Sequence, residues 1–212
     1  MRRPRILLAD DHQMLMDALK HVVEPRCEVV GTASDGRALL EAAAKLRPEV
    51  VVLDIAMPEL NGLDAARQLK RTMPKVKLIF MTMIEEPDLV REAFRAGASA
   101  FLLKQAAAFE LTEAIEQVLK GGSYVTPSAA EGQAKISLRD PEAREHVAEP
   151  TPRQREVIQL LAEGHSMKEV ASTLNITKRT VAAHKYAVME LLQLKTNAEL
   201  VQYAIKHRII SI

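Results

Sequence analysis

Val50-Val51-Val52-Leu53-Asp54 is four consecutive apolar residues, three of them β-branched, closed by a carboxylate. Unbroken apolarity lacks the in-out alternation of a half-exposed strand, so both faces are expected to be covered, as in a parallel sheet layered by helices. Leu78-Ile79-Phe80-Met81 repeats the signal. Working outward, strand patterns at residues 5–9, 28–33 and 100–103 complete a set of five. Helix-period segments at 12–24, 36–46, 63–71, 88–95 and 109–119 follow the strands in turn. The expectation is an α/β, five-stranded, doubly wound parallel sheet of the flavodoxin-like kind over residues 1–122.

Gly121-Gly122 ends the last of these helices, and Pro127, Gly132, Pro141 and Pro150 punctuate a stretch with little apolar periodicity. Residues 123–150 read as a linker, in which 140–147 could form a charged helix. From 151 to 212 only helical signals occur. Thr151-Pro152-Arg153-Gln154, Ser166-Met167-Lys168-Glu169 and Thr196-Asn197-Ala198-Glu199 are capping-box starts, and a further helix begins at Thr177. Asn175-Ile176 leaves only a brief turn before it, which suggests a helix-turn-helix in a small all-α domain.

Composition bounds the function. Of 212 residues 48% are apolar and 27% charged, which excludes a disordered or collagen-like chain. The uncharged apolar runs at 50–53 and 78–84 are far shorter than the ~20 residues of a bilayer span, so no membrane partner is expected. The basic start Met1-Arg2-Arg3-Pro4-Arg5 is followed by a short apolar stretch that Asp10-Asp11 stops, which argues against a secretory signal. A single cysteine, Cys27, fits a reducing compartment, and a cytoplasmic location is expected. The net charge of +1 is unevenly spread: 17 basic and 18 acidic side chains in 1–126, 3 and 5 in 127–150, 9 and 5 in 151–212. A basic C-terminal module is compatible with a polyanion or with an ordinary solvated surface.

Ligands of an open parallel sheet bind beyond the carboxyl ends of its strands. There the chain places Asp10 and Asp11 after strand one, Asp54 after strand three, Thr82 at strand four and Lys104 after strand five. Three neighbouring carboxylates repel one another unless a hard, oxygen-seeking cation such as Mg²⁺ sits among them. Lys104 adds a point charge suited to a phosphoryl oxygen, Thr82 a hydroxyl, and central Asp54 is the expected phosphoryl acceptor. Singly, Asp11 and Thr82 could be helix caps and Lys104 a surface lysine. Their joint arrival at one sheet edge favours a site.

The segments Ile6-Leu7-Leu8-Ala9-Asp10-Asp11-His12, Val52-Leu53-Asp54-Ile55-Ala56-Met57-Pro58, Asn61-Gly62, Thr82, Gly97-Ala98 and Phe101-Leu102-Leu103-Lys104 resemble a two-component response-regulator receiver domain. The resemblance implies Mg²⁺ held by Asp10, Asp11, Asp54 and the Ala56 backbone carbonyl. It further implies phosphorylation of Asp54 by a sensor histidine kinase, a Thr82–Phe101 switch pair, and a contact from Lys104 to the phosphoryl group. Gln105 stands where some receivers carry proline, so no cis peptide is expected.

On the helix from Thr177, a 100° rotation per residue turns Val181, Val188 and Leu192 inward with His184 and Leu191 on the flank. Arg179, Ala182, Ala183 and Tyr186 face outward. Lys178, Lys185 and Lys195 flank that face, and the amides near Thr177 and Thr180 could take a phosphate. A solvated charged face remains the alternative for the lysines. Residues 151–208 resemble the LuxR-type helix-turn-helix of NarL/FixJ regulators, in Thr151-Pro152-Arg153-Gln154-Arg155-Glu156-Val157, Ala162-Glu163-Gly164, Lys168-Glu169-Val170-Ala171 and Thr180-Val181-Ala182-Ala183-His184. That implies double-stranded DNA as a partner and a homodimer on phosphorylation. Ala182, Ala183 and Tyr186 at base-contacting positions point to methyl contacts and shape readout.

A non-enzymatic regulator is therefore expected. One rival is an aspartate-nucleophile phosphohydrolase, against which stand the absence of a second acid/base and of a cap insertion. The other is a constitutive DNA-binding or scaffold protein with an inert receiver.

Overall fold

A computed structural model describes residues 2–84, 86–127, 129 and 149–210, and the chain divides into two units. In the first, β1 (Arg5–Ala9), β2 (Glu28–Ala33), β3 (Val50–Asp54), β4 (Lys77–Thr82), β5 (Ala100–Leu103) and β6 (Tyr124–Val125) form one parallel sheet in the order β2-β1-β3-β4-β5-β6. The five strands read from sequence are all present; the sixth corrects the count. It lies in the segment read as linker, where Ala100 pairs with Tyr124 and Phe101 with Val125. Two residues carry no periodicity, so only the existing edge of β5 defines this strand. The possible helix at 140–147 lies outside the described residues.

Every residue of β3 is buried, in keeping with its unbroken apolar run. On one face Ile6, Leu8, Val50, Val52, Ile79 and Leu102 pack against α1 (Gln13–Val23) and α5 (Ala107–Leu119) through Met16, Leu19, Val23, Leu111, Ile115 and Val118. Alternate residues Leu7, Val51, Leu53, Leu78 and Phe80 are likewise fully buried toward the opposite face. α2 (Gly36–Leu46) and α3 (Gly62–Thr72) pack together, and α4 (Pro87–Arg95) precedes β5. Each fully buried aliphatic side chain contributes ~1.5–3 kcal/mol relative to exposure. The strand order reverses between β1 and β3, opening a crevice at their carboxyl ends.

The second unit contains α6 (Pro152–Ala162), α7 (Met167–Thr173), α8 (Lys178–Leu191) and α9 (Asn197–Lys206). All three expected capping boxes form, with Thr151, Ser166 and Thr196 accepting from the amides of Gln154, Glu169 and Glu199. Gly164 takes φ 94° after α6, and Asn175 takes φ 51° in the turn between α7 and α8. Val157, Leu160, Val170, Leu174 and Val181 lock α6, α7 and α8 together. Ile158, Val188, Leu200, Ala204 and Ile209 seat α9. No helix among the described residues is long and apolar enough to cross a membrane.

Candidate functional site

Asp10 follows β1 and Asp54 ends β3, so the two carboxylates flank the crevice at the strand-order reversal. Lys104 follows β5 and reaches back between them. Its Nζ lies 2.8 Å from Asp54 Oδ2 and 2.8 Å from Asp10 Oδ2. The Asp54 contact is a hydrogen bond, and the Asp10 contact is an ion pair to a fully enclosed oxygen. The Lys104 side chain is 7% exposed, against 0% and 4% for its two partners, so the surface-lysine reading fails.

Burial pushes the Asp54 carboxyl above its ordinary range, against the hydrogen bond and charge of Lys104 and the amide of Ala56. Burial works against the Lys104 charge too, but its contacts with Asp10 and Asp54 prevail and hold its pKa up. The Ile55 amide donates to Asp54 Oδ1 at 2.7 Å. Ala56, whose carbonyl is expected in a metal shell, follows in the same loop.

Asp11 stands beside this cluster with a half-exposed carboxylate. It does not cap α1: His12 holds the cap position, without a side-chain bond. The His12 imidazole instead lies 3.1 Å from Asp10 Oδ1 and 2.8 Å from Asp11 Oδ1. Asp10's hydrogen bond and then Asp11's charge raise its pKa. Thr82 is buried at the end of β4 and does not cap α4, whose cap position is Glu86; its hydroxyl accepts from the Ile84 amide at 3.1 Å. Its carbonyl accepts from the Lys104 amide at 2.8 Å, which ties β4 to the site. Phe101 is fully buried opposite Phe80, two places from the Thr82–Leu103 pair and on the same face.

One glycine sets the acceptor loop. The Gly62 amide donates to the Ile55 carbonyl at 2.8 Å, and a Cβ on Gly62 would stand 2.0 Å from the Asp54 carbonyl oxygen. Asn61 caps α3 by accepting from the Asp64 amide at 2.9 Å.

In the helical unit, Thr177, Lys178, Arg179, Ala183, Tyr186 and Lys195 are exposed, with Thr180 and Ala182 partly so. Thr177 caps α8 and shares a 2.9 Å hydrogen bond with the Thr180 hydroxyl. Lys185 departs from its expected flanking place: it is 8% exposed, on the inward face with Val181, Val188 and Met189. Its Nζ ends 5.5 Å from the centroid of the Tyr186 ring, so an aliphatic stem fills the core while the head emerges beside an aromatic face. Leu191, expected on the flank of the inward face, is 40% exposed.

Residues 6–116 match the family described as response regulator receiver domain, and residues 151–204 match bacterial regulatory proteins of the luxR family. The chain belongs to the LuxR-family response regulators. It is 34% identical over 98% of its length to the transcriptional regulatory protein MctR of Rhizobium johnstonii, covering 95% of that protein. It is 28% identical to the response regulator GacA of Pseudomonas aeruginosa, with 96% of each chain covered. Among solved structures, RcsB of Salmonella typhimurium matches with TM-score 0.61 and 26% identity over 96% of this chain and 98% of RcsB. A structure described as an RcsB–DNA complex matches with TM-score 0.61 and 26% identity, covering 95% and 98%. Another, described as two RcsB dimers bound to two parallel DNAs, matches with TM-score 0.60 and 25% identity over the same shares.

The sequence reading of this response regulator left two residues without a role. His12 carried a signal, a titratable ring directly after two acids. Thr126 carried none. Its buried hydroxyl accepts from the Leu103 amide at 3.2 Å and donates to Glu110 Oε2 at 2.8 Å, contacts that exist only once β6 has docked.

Proposed function

We propose that Asp54 is the residue through which this DNA-binding transcription regulator is controlled by phosphorylation, with a sensor histidine kinase as donor. The observation that carries the assignment is the Lys104 ammonium held between the buried carboxylates of Asp54 and Asp10 at the sheet's strand-order reversal. Asp54 supplies the electron pair to phosphorus, and the donor's leaving group departs with the electrons of the broken bond. Lys104 meets the oxygens of the transferred group, and Thr82 and Phe101 respond to the new charge at β4 and β5. The carboxylates of Asp10 and Asp11, whose oxygens lie close enough to share one ion, together with Asp54 are an oxygen donor set that suits Mg²⁺, with the Ala56 carbonyl completing it. When bound, Mg²⁺ supplies charge neutralisation between these acids and an incoming phosphate.

Residues 1–126, β6 included, then form the receiver, the stretch from there to 150 the linker and 151–212 the DNA-binding domain. Two copies pair on phosphorylation, as the described RcsB dimers on DNA suggest, and bring two α8 helices to neighbouring half-sites. Ala182, Ala183 and Tyr186 meet base edges. Thr177, Lys178, Arg179, Thr180 and Lys195 meet phosphates, with the head of Lys185 beside Tyr186.

Acetyl phosphate with Mg²⁺ tests the acceptor: wild type gains one phosphoryl group by mass and Asp54→Ala gains none. An equal gain on both proteins removes the assignment. DNA affinity that ignores the modification would support a constitutive binder, and sustained turnover of small phosphoesters would support a phosphohydrolase. A changed base preference in Ala182→Lys would support methyl and shape readout at that position.

A further inference from the structure

The opposite edge of the sheet carries a cleft that the phosphorylation chemistry does not use. It occupies about 570 Å³, within the usual range for small-molecule sites, at the amino-terminal ends of β3 and β4. Pro48, Met73, Pro74, Val76 and Leu119 form an apolar wall, and Arg47, Lys75 and Lys77 bring three cations to it. Its one carboxylate, Glu49, is engaged elsewhere, accepting from the Arg5 amide at 3.1 Å with Arg2 at 3.8 Å. Among the described residues, the side chains of Arg47, Lys75 and Lys77 have no ion-pair partner.

Basic residues often gather at this edge because helix carboxyl ends carry partial negative charge, which accounts for Lys45, Lys70 and Arg71 in the last turns of α2 and α3. Arg47, the C-cap of α2, falls under the same reason, whereas Lys75 and Lys77 lie past the end of α3 and outside it. Arg47 also holds φ 49°, a left-handed position where glycine is the least strained residue. Nearby Lys70, which donates to the Val76 carbonyl at 2.6 Å, has its pKa lowered by burial and then by the charge of Lys77.

We propose that this cleft binds a small organic phosphate with an apolar or aromatic body, its phosphates on Arg47, Lys75 and Lys77 and its body against Pro48, Pro74 and Leu119. The proposal is independent of the role of Asp54, which lies at the far end of β3, ~16 Å of strand away. An apolar wall beside only three cations favours a compact ligand over a duplex, which would need a broad cationic contact.

Titration calorimetry on the full chain in EDTA, with ADP as probe and adenosine and pyrophosphate as controls, tests it. ADP is expected to bind, each half alone at least ~10-fold more weakly, because charge and apolar contact both contribute. Arg47→Gly, which relieves the left-handed strain, and Lys77→Gln should each weaken ADP by about tenfold without lowering Tm. Asp54→Asn should leave ADP binding unchanged. Absence of ADP binding at several millimolar, pyrophosphate binding as tightly as ADP, unchanged affinity in both cleft variants, or loss of binding in Asp54→Asn would each overturn the proposal.

Discussion

Thr126 Oγ1 accepts the backbone N–H of Leu103 at 3.2 Å, so the residue immediately before Lys104 is held by a side chain from beyond the fifth βα unit. The same hydroxyl donates to Glu110 on α5, which makes Thr126 a two-sided clamp on the β5 end. Thr126→Val keeps the shape but leaves a buried amide and a carboxylate short of a partner. The expected loss is ~1–3 kcal/mol of unfolding free energy by urea titration, with Thr126→Ser retaining most of it. Equal stability of Thr126→Val and wild type would show the clamp to be idle.

The Asp54–Lys104 pair is built at a cost to folding. Since the folded pKa of Asp54 lies above its unfolded value, its contribution favours folding at acid pH and is lost as pH rises through the folded value. At neutral pH the buried carboxylate is therefore a net burden. Without divalent cation, Asp54→Asn should match or exceed wild-type stability to within about 1 kcal/mol, while Lys104→Met, which strands two buried carboxylates, should lose ~3 kcal/mol or more. The reverse ranking in denaturant titrations would mean that the ion pair stabilises the fold.

Gly62 is expected to tolerate no side chain. A methyl group placed 2.0 Å from the Asp54 carbonyl oxygen forces the acceptor strand or α3 to move. Gly62→Ala should lower stability by more than ~2 kcal/mol and slow labelling by acetyl phosphate; wild-type labelling kinetics would show that the loop absorbs the shift.

Tyr124 offers a spectroscopic readout of β6. Burial, followed by the charge of Glu110 and a hydrogen bond to it, pushes the phenol up to about 12. The folded state thus holds this proton more tightly than the unfolded chain, and the associated stability is intact below the ordinary tyrosine pKa and lost as pH rises toward 12. Ultraviolet titration should show a late phenol that disappears in Tyr124→Phe. If the late phenol survives that substitution, β6 does not shield Tyr124.

Lys185 should behave as a core residue and Lys178 as a surface one. Lys185→Ala is expected to reduce stability by ~1–2 kcal/mol through lost packing of the stem, with Lys185→Met recovering it. Lys178→Ala should leave Tm unchanged while weakening DNA binding and flattening its salt dependence. A Tm insensitive to Lys185→Ala would return that side chain to the DNA-facing surface.

Much of this was legible locally. Unbroken apolar runs identified covered strands, and the three capping boxes stood in the chain because hydroxyl, amide and N3 side chain lie within one turn of each other. Asp10, Asp54 and Lys104 could be brought to one edge by counting strand ends, because parallel strands joined by helices all present their carboxyl ends together. On α8 the rotation itself sets Lys185 only about 40° from Val181, on the inward face; residue type places it on the flank, because it treats lysine as polar throughout although most of its length is hydrocarbon.

The chain's own alternation of residue types thus determined the α/β layering, the order of elements and the helix starts, since each depends on neighbours within a few positions. Tertiary structure alone decided the sixth strand, the grip of Thr126 on Leu103, the enclosure of Lys104 between two acids and the cationic cleft beside Arg47. Those features join residues dozens of positions apart, and their energies arise only when packing has excluded water from the groups involved.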